Sequence, residues 1–230
     1  MIPQDDDLLI SIHVPKTGGI TFREILEELA DGHLVHDYDD RPLSPASPWQ
    51  RMRRALHRPT LPAGTRVVHG HFVATKYWRR HPGARYLAWF REPVERLASH
   101  YYYWQREPDL ANATCRRLLD ENLSLVAFAA VPEMRNVHTR FLGEVPTDAL
   151  AFVGITEAYD TSLELFRRAF CPGRPVEAAE RNTNPDRAGD TYELESEERE
   201  SIAALNREDL ELYERALARH RQLLAAHGLG

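Results

Sequence analysis

The sequence has little cysteine and no long apolar run. Cys115 and Cys171 are its two cysteines, too few for a disulfide framework and without metal-ligand spacing, so we expect two buried or idle thiols. No run of about 18 apolar residues is present, and no basic segment followed by an apolar one stands at the N-terminus. The sequence therefore gives no support for a membrane span or a signal peptide, and we expect a soluble, cytoplasmic protein.

Acidic residues are missing from one long stretch, and lysine is rare throughout. From Arg41 through Arg91 there are eleven basic residues and no Asp or Glu, although the whole chain has a net charge of −6. Such a segment needs an anionic partner or a very exposed surface, and a solvated face accounts for some of it, such as Arg79 and Arg80. Of the 29 basic residues, Lys16 and Lys76 alone are lysines.

The order of apolar segments predicts one α/β domain with a short central parallel sheet flanked by helices. The 230 residues suffice for one such domain, and no linker divides them. Buried strands are predicted over 8–14, 65–72, 85–91 and 151–156, with helices after Gly19, from Pro93, over 112–141, over 157–170 and over 196–228. Residues 31–65 are predicted to form a surface excursion with a short basic helix. That excursion fits a lid or acceptor-binding element as well as a merely solubilising surface.

The turn after the first strand favours an anionic ligand. Pro15 ends the strand, and the glycines Gly18 and Gly19 stand where the next helix begins. Glycines allow close approach of the backbone, and a helix N-terminus attracts negative charge. Lys16 and the hydroxyls of Thr17 and Thr21 add donors suited to phosphate or sulfate oxygens. Because the lysine precedes the glycines, an ordinary nucleotide hydrolase is disfavoured.

Two further segments carry candidate site residues. His69 and His71 share one face of the second predicted strand, at its C-terminal end. A neutral imidazole there is suited to take a proton from a hydroxyl, whereas a structural pair is the main alternative and zinc ranks lower. Arg91 ends the third predicted strand, and Ser99 lies two turns into the following helix. An arginine and a hydroxyl so placed can converge on one phosphate.

These segments resemble a known family. His-Val-Pro-Lys-Thr-Gly-Gly-Ile-Thr-Phe at 13–22 and Arg-Glu-Pro-Val-Glu-Arg-Leu-Ala-Ser at 91–99 are similar to the two nucleotide motifs of sulfotransferases, especially the branch that includes heparan sulfate 2-O-sulfotransferases. The resemblance implies a P-loop-like three-layer fold and a donor substrate, 3′-phosphoadenosine 5′-phosphosulfate, with no metal.

Carried onto this sequence, the resemblance implies a role for each candidate. His71, with His69 second, would be the base, and Lys16 would stabilise the leaving phosphate. The implied donor-binding residues are Lys16, Thr17, Gly18, Gly19, Thr21, Phe22, Arg91, Ser99, Arg181 and Asn182. For Arg181 and Asn182 an ordinary turn cluster is as good an interpretation. Residues 136–142, Asn-Val-His-Thr-Arg-Phe-Leu, also resemble a family segment, for which capping and packing is favoured.

Two rival functions stay open. A P-loop kinase would require ATP and Mg²⁺, and the missing Gly-Lys-Ser/Thr order counts against it. A non-enzymatic binder of an acidic polymer would use the block from Arg41 to Arg91 and would show a steep salt dependence. The acidity of the remaining chain and the absence of a recognisable nucleic-acid module make such a binder, whether of nucleic acid or of another acidic polymer, the weaker rival. The expected acceptor of the sulfotransferase is a hydroxyl on an anionic sugar or a natural product.

Overall fold

The computed structural model describes residues 8–47, 49–50, 52, 59–172 and 191–229. Within them, five parallel strands form one sheet in the order β2-β3-β1-β4-β5. The strands are β1 (Leu9–Ile12), β2 (Leu34–Asp37), β3 (Val67–Gly70), β4 (Arg85–Phe90) and β5 (Leu150–Ile155). The predicted α/β class, with a parallel sheet flanked by helices, is confirmed.

The sheet is buried because its strands are short apolar runs covered on both faces, as parallel sheets are. Every residue of β1 is buried, and so is every residue of β4 after Arg85. Helix α1 (Gly19–Ala30) follows β1, and the short α2 (Thr75–Trp78) follows β3. The chain first adds strands on one side of β1 and then crosses to the other side with β4. Such a change of side leaves a crevice at the carboxyl ends of the central strands.

The remaining helices begin where sequence signals place them. Helix α3 (Pro93–Arg106) has proline at its first position, and the Glu92 carboxylate accepts from the Glu95 N–H at its start. After it come α4 (Ala113–Asp120), α5 (Leu125–Ala129), α6 (Val137–Leu142) and α7 (Tyr159–Phe170). Asn112 caps α4 and Ser124 caps α5 through their side-chain oxygens.

The C-terminal helices are α8 (Ser196–Leu205) and α9 (Arg207–Ala226), so the predicted helical stretch 196–228 is divided at Asn206. Helices α7 and α9 pack against β5. Both cysteines are buried and free, as expected. None of the helices in the described ranges is long and apolar enough to cross a membrane.

One prediction about the fold needs correction. The segment 31–65 was expected to be an irregular surface excursion with one short basic helix, but it contains the edge strand β2, whose residues pair with β3. Three of the four residues of β2 are partly or fully exposed, because an edge strand packs on one side only. Most of the expected helix at 49–58 lies outside the described residues, and Trp49, Gln50 and Met52 are helical.

Candidate functional site

The candidate site lies at the carboxyl edge of the sheet. The residues that directly follow strands β1 to β5 are His13, Tyr38, His71, Arg91 and Thr156. Because carboxyl ends of parallel strands meet at one edge, side chains from distant parts of the sequence gather there. In the sheet register, Ser11 on β1 lies opposite His69 on β3 and Leu87 on β4. The lysine loop and both predicted histidines therefore lie on neighbouring strand ends.

The loop between β1 and α1 has an unusual backbone conformation. Lys16 has φ 70° and Gly18 has φ 87°, both in the left-handed region that glycine tolerates and lysine rarely adopts. Helix α1 begins at Gly19, and among the described residues no side chain caps it. A Cβ on Gly19 would lie 2.0 Å from His13 Nε2, so this position has no room for a side chain. The uncapped helix start is thus a ready anion-binding element.

The carbonyl groups of the loop are held by side chains from the ends of β4 and β5 and from the start of α7. Arg91 Nη1 donates to the Lys16 carbonyl at 3.3 Å, and Thr156 Oγ1 donates to the Thr17 carbonyl at 2.9 Å. The Tyr159 hydroxyl donates to the Gly18 carbonyl at 3.4 Å. In a planar trans peptide the N–H points opposite to the C=O. The N–H side of the loop therefore faces away from these partners, as in a backbone anion nest.

Two other predicted donor-binding residues, Thr17 and Phe22, are buried and contact the protein itself. Thr17 is fully buried, and its hydroxyl donates to the Val14 carbonyl at 2.8 Å, within the loop itself. The Phe22 ring is 1% exposed and packs against Phe152 and other aromatic rings of the core. Thr21 lies in the first turn of α1, and its side chain is outside the described part. Thr17 and Phe22 thus have evident structural roles in shaping the loop and anchoring α1.

Lys16 is half-buried beside two arginines. Its ammonium lies 3.6 Å from the centre of the Tyr103 ring on α3. Burial, together with the positive charges of Arg91 and Arg106, lowers the pKa of Lys16 to about 8. At neutral pH the group is charged, and it loses its proton only slightly above neutrality.

Arg91 is held at its backbone by residues of α6 and α9. Its backbone N–H donates to His138 Nε2 at 3.4 Å, and His138 Nδ1 lies 3.2 Å from Asp209 on α9. Asp209 also accepts from the Thr139 N–H and hydroxyl, each at 2.8 Å. Burial alone would raise the pKa of Asp209, but the hydrogen bonds from His138 and Thr139 outweigh it and hold that pKa at about 2. Ser99, the other predicted phosphate contact, is buried in α3.

The polar residues at 136–142 belong to this support rather than to a ligand surface. The Asn136 N–H donates to the Asn206 side chain at 3.0 Å, and the Asn136 side chain accepts from the Asp209 N–H at 3.3 Å. Arg140 donates to backbone carbonyls, among them that of Pro132 at 2.6 Å. These contacts support the predicted role of this segment in capping and packing.

Histidine rings stack at the ends of β1 and β3. The ring of His13 lies 4.9 Å from that of His69 and 4.4 Å from that of His71, centre to centre. The Tyr38 ring meets His71 edge-on at 4.8 Å, and the Tyr38 hydroxyl lies 3.4 Å from His13 Nδ1. Arg23 on α1 hydrogen-bonds that hydroxyl. Across the described ranges, no group of three His, Cys, Asp or Glu side chains could hold a metal ion.

The two predicted histidines differ in what they can do. His71 Nδ1 lies 2.6 Å from the His13 carbonyl, which only accepts, so Nδ1 carries the proton and Nε2 has the lone pair. His71 is half-buried, and burial lowers its pKa although the bond to His13 opposes this shift. His69 is 1% exposed, with Nδ1 at 2.9 Å from Ser11 Oγ. Its pKa is lowered to about 3, chiefly by burial and next by His71.

Comparison of the chain with protein-family models and with curated proteins yields no match. Among solved structures, the chain is similar to a sulfotransferase from Alicyclobacillus acidocaldarius. That match covers 93% of this chain and 95% of the other, at 15% identity and a TM-score of 0.47.

In the described part of the acid-free block, several basic side chains are paired with acids or packed on the core. Lys76 is buried in an ion pair with Asp37 at 2.7 Å, and Arg79 pairs with Glu144 at 2.6 Å. The Arg85 guanidinium lies 3.9 Å over the Phe170 ring. Within the described part of the block, the exposed arginines also include Arg41, Arg66 and Arg80. Acids from outside the block therefore neutralise part of its charge.

Sequence reasoning missed several residues that hold the site together. Thr156 and Tyr159 hold carbonyl groups of the loop, although the sequence predicts only a strand and a helix at their positions. Tyr103 and Tyr38 have no sequence signal beyond helical or loop context, since their roles depend on which strand ends meet. His13 stands inside the loop motif, two residues before Pro15, and this adjacency is the signal that could have identified it. Arg181 and Asn182 lie outside the described residues.

Proposed function

We propose that the protein is a sulfotransferase that moves the sulfuryl group of 3′-phosphoadenosine 5′-phosphosulfate to a hydroxyl of a carbohydrate or small-molecule acceptor. The observation that carries the proposal is the bond from Arg91 Nη1 to the Lys16 carbonyl at 3.3 Å. It joins two segments that lie 75 residues apart in sequence and that each resemble a donor-binding motif. This contact supports the proposal that the two motifs contribute to one site.

The chemistry of this loop fits an anionic donor. The N–H side of residues 17–19 and the uncapped start of α1 suit the 5′-phosphosulfate. In this proposal the Lys16 ammonium stabilises negative charge that develops on the leaving phosphate oxygen. Arg91 and Ser99 are the residues proposed for the 3′-phosphate, where a guanidinium gives a bidentate contact. The donor supplies the activated sulfur.

We assign the general base to His71 rather than His69. In the transfer, the acceptor oxygen bonds to sulfur, the bond from sulfur to the phosphate oxygen breaks, and the hydroxyl proton passes to His71 Nε2. The bond from Nδ1 to the His13 carbonyl leaves that Nε2 as the acceptor, and the lowered pKa keeps the ring neutral. His69 is buried, so in our proposal it packs behind the base.

The acceptor class rests on resemblance alone. The heparan sulfate 2-O branch suggests a sugar hydroxyl, and an exposed arginine such as Arg41, which follows β2, would suit a carboxylate on the acceptor. A natural product with a hydroxyl group stays the alternative. A cytoplasmic location, independence from metal, and the absence of nucleic-acid and membrane partners also stay predictions.

Calorimetric titration with 3′-phosphoadenosine 5′-phosphate tests the donor site, with ATP as the competing ligand. We expect selective binding by the wild type, and at least tenfold weaker binding by Arg91→Ala because a buried charged contact is lost. Arg80→Ala, at an exposed arginine, is the matched control and should bind like the wild type. Equal binding of ATP, or full affinity in Arg91→Ala, would refute the proposal and favour the kinase or polymer-binder interpretation.

Measurement of kcat tests the assignment of His71 as the general base. His71→Ala should lose at least a hundredfold in kcat while retaining affinity for the donor product, because general-base catalysis contributes about 10²–10⁴-fold. Sulfate transfer from labelled donor to a panel of uronic-acid sugars and phenolic natural products would measure this and identify the acceptor class. Loss of binding and turnover together in His71→Ala would mean that this histidine is structural.

A further inference from the structure

The ammonium of Lys16 rests on an aromatic face. Its Nζ lies 3.6 Å from the centre of the Tyr103 ring, well within the distance of about 6 Å at which a cation is attracted to a ring face. The Tyr103 hydroxyl hydrogen-bonds Glu107. Burial, and next the charge of Glu107, raises the pKa of Tyr103, so the ring is neutral at physiological pH. The attraction is therefore to the ring quadrupole and not to a phenolate.

The other charges around Lys16 mostly disfavour an ammonium. Arg91 from the end of β4 and Arg106 from the end of α3 repel it, whereas Glu107 attracts it. His13 and His100 also feel its charge, and burial keeps the pKa of both well below the usual value. In the described part of the chain, one carboxylate and one ring face thus favour the ammonium, against burial and two guanidiniums.

We propose that Tyr103 is a positioning residue that holds the Lys16 side chain, in its charged form, at the anion-binding loop of the donor-free protein. The inference deepens the proposed function, on which its catalytic meaning rests. In this arrangement the negative face of the Tyr103 ring attracts the ammonium, as the negative charge of a bound ligand would.

A merely structural alternative exists. Lysine stems often lie along apolar side chains, and Tyr103 would then do no more than cover the methylene groups of Lys16. The two interpretations differ in one measurable respect. A ring face stabilises the ammonium over the amine, whereas an aliphatic cover of similar size does not. Replacing Tyr103 by leucine retains an apolar cover and removes the quadrupole.

The scarcity of lysine makes this titration directly observable. With Lys16 and Lys76 as its two lysines, the full-length protein labelled with [¹³Cε]lysine has two lysine signals, and Lys16→Arg identifies that of Lys16. Lys76, whose ammonium lies 2.7 Å from Asp37, serves as an internal reference. The signals are followed by NMR from pH 6 to 11 in the wild type, Tyr103→Leu, Tyr103→Phe and the control Tyr102→Leu, which removes a neighbouring ring stacked on Tyr192.

We expect the Lys16 titration midpoint to fall by about 0.5 to 1 pH unit in Tyr103→Leu, a three- to tenfold change in proton affinity. Tyr103→Phe and Tyr102→Leu should stay close to the wild type, the first because it keeps the ring. An unchanged midpoint in Tyr103→Leu would overturn the proposal, and so would an equal fall in Tyr102→Leu. Circular dichroism of each variant shows that it is folded.

The catalytic consequence is measured separately. If Lys16 acts as a cation in transfer, kcat/KM falls as pH rises through about 8. Tyr103→Leu should move this basic limb to lower pH by the same amount as the NMR midpoint. If the NMR midpoint of Lys16 shifts but the basic side of the kcat/KM profile does not, then the proposed effect of Tyr103 on catalysis is wrong. If no sulfate transfer is found, the proposed function fails, while the NMR titration still decides whether Tyr103 holds the ammonium.

Discussion

Acid should destabilise this protein through a buried histidine. His69 is 1% exposed, and its pKa is lowered to about 3, chiefly because burial penalises the charged ring. In the unfolded chain the same ring has the ordinary value of about 6.5. Below that pH the unfolded chain binds a proton that the native protein does not bind until the pH approaches 3. Native stability must therefore decrease as pH falls through this window.

The size of this effect follows from the two values. At pH 5 the unfolded chain gains about 2 kcal/mol relative to pH 8 from protonation of His69, whereas the native protein gains almost nothing. The ring is buried, so no correction for solvent screening applies. His100, also buried, has its pKa lowered by burial and acts in the same direction. The contribution of His69 is therefore isolated by comparing variants.

The assay is denaturant unfolding at pH 8 and pH 5. Between these values the wild type should lose about 2 kcal/mol more stability than His69→Asn, which has no titrating ring at this position. Ser11→Ala is the matched control, because it removes the hydrogen-bond partner of His69 and keeps the imidazole. It should be less stable at both pH values and keep the pH dependence of the wild type. Equal losses in the wild type and His69→Asn would refute the reasoning.

Further predictions concern the loop and its support. Lys16→Gly should be about 1 kcal/mol more stable to denaturant than Lys16→Ala, because φ is 70° there. Gly19→Ala should cost about 1–3 kcal/mol of stability and weaken donor-product binding, since the new Cβ would lie 2.0 Å from His13 Nε2. Asp209→Asn should cost about 1.5–3 kcal/mol in the same unfolding assay, because charged hydrogen bonds to Thr139 and His138 are weakened.

Specific results would contradict each of these. Equal stability of the Gly and Ala variants at Lys16 would mean that the loop relaxes without strain. Unchanged donor-product affinity in Gly19→Ala would mean that the His13 ring can move without disturbing the nest. Full stability in Asp209→Asn would show that neutral hydrogen bonds suffice between α6 and α9. Glu211→Gln, on the same helix, is the control for the last variant.

The central strands could be predicted from sequence, and the edge strand could not. Strands β1, β3, β4 and β5 are apolar runs, and some are followed by residues that end a strand, such as Pro15 after β1 and Glu92-Pro93 after β4. Strand β2 is short and mostly exposed, so it lacks the apolar signal of a buried strand. The helical stretch at 112–141 is divided into α4, α5, a short 3₁₀ turn and part of α6, with side-chain caps at Asn112 and Ser124.

The candidate site was predictable as a list of residues but not as an arrangement. Lys16, Arg91 and His71 stand at strand ends, and the sequence places each on its strand-to-helix turn. The sequence has no means of showing that Arg91 bonds to the Lys16 carbonyl, since this depends on β4 lying beside β1. The distinction between His69 and His71 also needs three dimensions, because both face the same side of β3.

The sequence by itself determined which residue types could hold an anion, since glycines at the loop, a lysine before them and an arginine at a strand end are local features. It also determined the strand-and-helix alternation, because hydrophobic periodicity is local. Tertiary structure alone decided which loop carbonyls accept hydrogen bonds from side chains and which histidine keeps a ring nitrogen that can accept a proton. It also decided that Tyr103 lies against Lys16. These depend on strand order and burial, which are set by contacts between residues far apart in the chain.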